Sequence, residues 1–271
     1  MYYLILVLGI CSAILTHAYF SDNPEEIIWW NFLCSGVFLS IVLLVSRKTR
    51  TKHESQQKLF ATLFILSNTV RSIFPRIDVE RICYVDNIWS TTIVGRSFAT
   101  IGEVALSLQI ANSLLHTMKP LAVQSILPYI LPPAIFVAQI LCWFGVLTTN
   151  QLFHVFEESI WAGVSAMIIP LLLKLVKKTE DSKIQKKLLA FVIIDTVYVI
   201  YMLLVDIPMY YRRYTENNES GYQYLSLREG LYDAMSCKLV TTKYEVWKED
   251  AMWMIGYFVF GSFISVGMIN G

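Results

Sequence analysis

The sequence predicts an all-α fold, a polytopic transmembrane helix bundle, and three observations carry that prediction. Hydrophobic residues make up 55% of the 271 and charged residues only 16%, where a soluble domain carries about a quarter charged. Apolar runs near the roughly 20 residues that cross a hydrocarbon core recur from end to end. Between them, Lys and Arg gather in two loops, as membrane proteins retain them on one side.

Eight apolar segments follow one another: 2–19, 29–46, 59–75, 88–116, 122–147, 152–174, 188–210 and 251–270. The first lacks a basic leader region and is expected as an uncleaved helix; cleavage after Thr16-His17-Ala18 would leave seven spans. The second runs from Trp29, past Cys34, to the basic loop. The third carries Asn68 and Arg71 near its end, and Pro75 stops it. In the fourth, Arg96, Thr100 and Glu103 are spaced i, i+4, i+7 and share one face, which Ser107 continues. Beside them Gly95, Ala99 and Gly102 form a small-residue track that lets another helix approach.

The fifth segment contains Pro128, Pro132 and Pro133, which predict a kink, and Cys142, which in an apolar run reads as a small hydrophobe. The sixth places His154, Glu157 and Glu158 in its first two turns. The seventh contains Asp195 and Asp206, and Glu249 and Asp250 precede the eighth. Trp29, Trp30, Trp89 and Trp253 fall where interfacial aromatics anchor a helix.

Loops 47–58 and 174–187 hold much of the chain's Lys and Arg. If all eight segments span, both loops lie on one side, so both termini are expected in the cytoplasm. Segments 20–28, 74–87, 148–151 and the long loop 211–250 then face outward. The whole chain, 1–271, reads as one integral membrane domain, with a plasma or bacterial inner membrane favoured and an organelle membrane left open. Two features agree with this orientation: the glycosylation sequon Asn218-Glu219-Ser220, and Cys83 with Cys237, which would share the side where a disulfide persists. Arg76, Asp78, Glu80, Arg81 and Asp86, in the outward loop 74–87, are expected to rim a cavity mouth.

An ionised group at the bilayer centre costs roughly 2.5–3.5 kcal/mol on insertion scales, so such groups pair or mark a path. The candidate substrate-binding residues are therefore Asn68, Arg71, Arg96, Thr100, Glu103, His154, Glu157 and Glu158. Glu103 is expected to meet Arg71, and Arg96 to meet Glu157 or Glu158. The competing reading is an ion network that only fixes helix register.

Four scattered histidines, His17, His53, His116 and His154, give no multi-histidine pattern, so neither a metal site nor a cofactor is expected. A net charge of +1 points away from nucleic acid. The expected partners are membrane lipids and a small-molecule or ion ligand, with a homo-oligomer left open. The favoured function is transport or binding of a small polar or charged solute in an outward-open polar cavity. The alternatives are a membrane-embedded enzyme acting on a lipid or head group, with Glu103, His154 or Glu157 as acid or base, and a seven-helix-like receptor or sensor. The sequence lacks a lysine in 251–270 and the Asp-Arg-Tyr and Asn-Pro-x-x-Tyr signatures of G-protein-coupled receptors.

Overall fold

Polar side chains point inward and apolar ones outward at many positions of this molecule, whose computed structural model describes residues 24–269. The segment expected at 2–19 lies outside the described residues. Helix α1 spans Pro24–Ser46, α2 Lys52–Ile73, α3 Thr92–Met118, α4 Leu127–Thr148 and α5 Leu152–Lys178. Helix α6 runs Ser182–Glu219, α7 Leu227–Asp233 and α8 Tyr244–Gly267. The all-α prediction holds. Of the seven spans expected within the described residues, six are helical stretches long and apolar enough to cross a membrane: Ile28–Ser46, α3, α4, α5, α6 and α8.

The expected third span forms as α2 but is not among those six. Its polar residues Gln57, Ser67, Asn68, Arg71 and Ser72 are buried, while Leu59, Leu63 and Leu66 are exposed. Those leucines fall at i, i+4, i+7, one helical stripe. A water-soluble helix has the opposite arrangement, so α2 is amphipathic in the sense that suits a lipid environment. Thr51 caps its start, its hydroxyl accepting from the Glu54 N–H at 3.1 Å while the Glu54 carboxylate accepts from the Thr51 N–H. This reciprocal box satisfies donors that the first turn leaves orphaned.

The chain forms two compact units, whose boundary falls inside α3. The first takes the described residues to Gln109 and those from Ala234 onward. In it, α2 approaches α3 at Gly102, where a β-carbon would come within 2.7 Å of the Ser67 side chain. The Ser67 hydroxyl donates to the Phe98 carbonyl at 2.6 Å. A polar cluster ties α2, α3 and α8: Gln57 Nε2 donates to the Gln109 carbonyl, and Gln109 exchanges hydrogen bonds with Ser265. Interhelical amide and hydroxyl bonds of this kind hold membrane helices together where apolar surface alone gives little preference.

A small three-stranded sheet closes the same unit: β1 (Arg76–Ile77) pairs antiparallel with β2 (Ile82–Cys83), which pairs parallel with β3 (Leu239–Val240). The expected disulfide between Cys83 and Cys237 is present. Trp29 stacks on Trp247 and meets Tyr84 edge-on, and Trp30 stacks on Tyr84. Trp29 is therefore a core residue rather than an interfacial anchor. The aromatic cluster explains why: indole rings bury large areas when other rings are available to pack against.

The second unit, Ile110–Asp233, has a conventional apolar core. Leu131, Ile135 and Ala138 of α4 pack with Val164, Ile168 and Leu175 of α5 and with Leu188 and Met202 of α6. Helix α4 runs through its prolines: Pro128 sits in the first turn, where a missing N–H costs nothing, and Pro132 and Pro133 lie inside the helix, where each removes one backbone hydrogen bond. Helix α6 passes through a π-turn at Met202–Asp206 immediately before Pro208. A proline removes one hydrogen bond and crowds the preceding turn, and a wider turn relieves that. The stretch 211–250, expected as one long loop, instead holds the end of α6, all of α7, β3 and the start of α8.

Candidate functional site

The eight candidate residues fall into two groups, one in each unit. In the first unit α3 presents Arg96 and Glu103 two turns apart, and Arg96 Nη2 donates to Glu103 Oε1 at 3.0 Å. Arg96 thus finds a partner on its own helix, in Glu103. The guanidinium is long enough to reach down two turns, a distance the short side chains between them leave open. Arg71 of α2 lies 3.8 Å from the same Glu103 oxygen, the partnership the sequence predicted. Arg71, Arg96 and Glu103 are each no more than 6% exposed.

Arg71 is held chiefly by aromatic rings. Its guanidinium carbon is 4.5 Å from the centre of the Phe258 ring, 5.7 Å from that of Trp253 and 5.8 Å from that of Tyr257. A π-turn at Ile255–Phe260 brings this about. In a regular helix i+4 shares the face of i while i+5 turns away from it, whereas the wider turn also carries i+5 onto that face, so residues 253, 257 and 258 converge. Each ring face attracts the cation by roughly 0.5–2 kcal/mol. The ion contact of the Arg71 side chain is to the oxygen that Arg96 already holds.

Asn68, one turn before Arg71, donates to Ser262 at 3.1 Å, and its own side-chain oxygen is buried without a hydrogen-bond partner. Thr100 is half-buried between Arg96 and Glu103. The loop after α2 adds a third buried arginine, which the sequence alone places at a solvent rim. Arg76 Nε is 2.6 Å from Asp78 Oδ1, and its guanidinium lies over Gly95 of α3, where any side chain would collide with it. Burial pushes the Arg76 guanidinium down to about 10; Asp78 opposes that, while the charges of Arg71 and Arg96 reinforce it. Arg81 is also fully buried and donates to the Asp78 carbonyl from a left-handed backbone. Glu80 and Asp86 alone of the expected rim are exposed. Asp250, buried in α8, accepts from Trp253 Nε1 at 3.1 Å, so it belongs to the same neighbourhood.

In the second unit His154 and Glu157 meet directly, Nδ1 to Oε2 at 2.8 Å. Glu158, the next residue, is half-buried. The tight turn 149–151, with Thr149 in a left-handed conformation capping α4, returns the chain so that α5 lies against α4. Cys142 Sγ thereby comes within 3.8 Å of His154 Nδ1. Nothing in its own apolar segment marks Cys142 as a site residue. The signal that points to this region is the spacing His154-x-x-Glu157, which puts two ligand-type side chains on one helical face. Comparison with protein-family models, with curated proteins and with solved structures found no match.

Proposed function

We propose that this protein is a multi-pass membrane protein that binds a small anionic solute at Arg71 and carries it across the bilayer. One observation supports the reading above others: a buried guanidinium, caged by three rings, whose ion contact is a single oxygen that it shares with Arg96. A guanidinium presents five N–H donors in a planar fork. A carboxylate or phosphate takes two of them side by side. Glu103 supplies a single oxygen shared with Arg96, which anchors the guanidinium without saturating it.

The aromatic rings suit this role because they hold a cation without competing for its hydrogen bonds. Asn68, with an unmatched buried oxygen one helical turn away, would accept from a hydroxyl or amino group of the solute. In this reading α2 also crosses the bilayer, both termini lie in the cytoplasm and the Arg76–Asp78 loop faces outward, following the positive-inside distribution. The test is uptake into liposomes by the purified protein, using a panel of labelled small carboxylates, phosphates and cations. Arg71→Met is expected to abolish anion uptake while Glu80→Gln leaves it intact. Equal uptake by Arg71→Met and the parent across the panel overturns the proposal.

A further inference from the structure

From the second unit we infer that Cys142, His154 and Glu157 form a three-ligand site for a divalent metal ion, zinc being the best chemical match. One ligand atom from each lies within 4.8 Å of the others, and all three residues are buried. Two contacts converge on a single ring nitrogen: His154 Nδ1 faces Glu157 Oε2 at 2.8 Å and Cys142 Sγ at 3.8 Å. This convergence separates a metal centre from a nucleophile relay. In a relay the thiol and the carboxylate address opposite nitrogens of the imidazole; here both address the same one.

Zinc bonds of about 2.0–2.3 Å in tetrahedral array hold ligand atoms roughly 3.3–3.7 Å apart. The thiol–imidazole distance is already close to that range, and the carboxylate oxygen needs to swing out by roughly 0.5 Å. Charge also balances. A thiolate and a carboxylate together carry two negative charges, which a divalent ion cancels. Tyr210 stacks on the imidazole with ring centroids 5.0 Å apart, fixing the ring plane. His154 Nε2 is buried against Gly145 and has no hydrogen bond among the described residues, so the Nδ1 edge carries the ring's polar contacts. Sulfur, nitrogen and oxygen donors together select zinc or cobalt over calcium or magnesium, which prefer oxygen alone. Bound there, the ion would pin the end of the α4–α5 hairpin.

The site is independent of Arg71 and is tested independently. The full-length protein in detergent is stripped with a chelator, reloaded with cobalt or zinc, desalted and assayed for metal by mass spectrometry and absorption. The expected result is stoichiometric metal, a sulfur-to-cobalt charge-transfer band and intense tetrahedral ligand-field bands. Cys142→Ser is expected to remove the charge-transfer band, and Cys142→Ser and His154→Gln each to weaken zinc binding at least about tenfold, with Glu158→Gln unchanged. Failure of the parent to retain either metal, or retention with an unaltered spectrum in Cys142→Ser, overturns the inference. The parent's cobalt spectrum decides the matter even if a variant misfolds.

Discussion

The two buried polar clusters differ in how they handle charge. The Arg71–Arg96–Glu103 cluster joins two helices through full charges that share one carboxylate oxygen, with aromatic rings completing the surroundings of Arg71. The Cys142–His154–Glu157 cluster is made of groups that can lose or share a proton, drawn together by a tight turn. A guanidinium stays charged at any ordinary pH, so the first cluster cannot relax by neutralising itself and must find counter-charge. The second can, or can give up its protons to a metal. Permanent charge therefore points to an ionic ligand, and adjustable charge to a cation whose ligands must first be deprotonated.

Neutralising one carboxylate in each cluster is the sharpest way to break that contrast. Glu103→Gln leaves two buried guanidinium groups facing an amide, and a loss of about 3–5 kcal/mol is expected, as when one partner of a buried pair is removed. Glu157→Gln replaces the carboxylate facing His154 Nδ1 with an amide, with a loss of about 1–3 kcal/mol, the cost of one compromised buried hydrogen bond. Denaturant unfolding of both variants in the same detergent measures the difference. Equal losses would mean that the clusters are held alike.

The disulfide sharpens the comparison by region. Cys83 and Cys237 are 154 residues apart in sequence, and removing a bridge that closes a long loop typically costs about 2–5 kcal/mol. Cys83→Ser should raise amide exchange and protease cleavage in 74–90 and 234–243, leaving the α4–α5 turn as protected as before. Unchanged protection in the first region would remove the bridge from the account of how Arg76 and Arg81 are held.

These regions also differ in how far their sequence can be read. The helical, membrane-type fold follows from composition, and the shared face of Arg96, Thr100 and Glu103 follows from spacing. The Arg71–Glu103 contact and the disulfide are likewise anticipated. The aromatic cage is not, because it depends on a π-turn that no residue between Ile255 and Phe260 announces. Arg76 and Arg81 sit in a polar loop, and polar loops ordinarily face water; only a folded sheet and Gly95 put their guanidinium groups inside. Cys142 looks like one more apolar side chain because the helix that brings His154 to it lies on the far side of a turn. Spacing within a helix is legible in sequence, whereas convergence between helices is set by turns and crossings that it encodes only indirectly.

The smallest expected effect lies outside both clusters, at the start of α2. The Arg50 and Thr51 backbone N–H groups hold the exposed Glu54 carboxyl below its ordinary value. Because the folded pKa is depressed, its stabilising contribution is present above the unfolded value and is lost as pH falls through the folded one. Protection factors at the first turn of α2, with the intrinsic pH dependence of amide exchange divided out, should therefore fall on acidification in the parent and change less in Glu54→Gln, with neither cluster responding to the substitution. Acid loosening that persists unchanged in Glu54→Gln would assign it to other groups.

The central claim, an anion held by Arg71, is tested most directly by ligand-induced thermal stabilisation of the purified protein. A ligand that binds only the folded state raises the melting temperature by an amount that grows with its concentration relative to Kd. Small carboxylates or phosphates are predicted to raise it in the parent and to leave Arg71→Met unmoved, while matched organic cations do nothing to either. Stabilisation by cations instead, or by anions equally in Arg71→Met, would contradict the account.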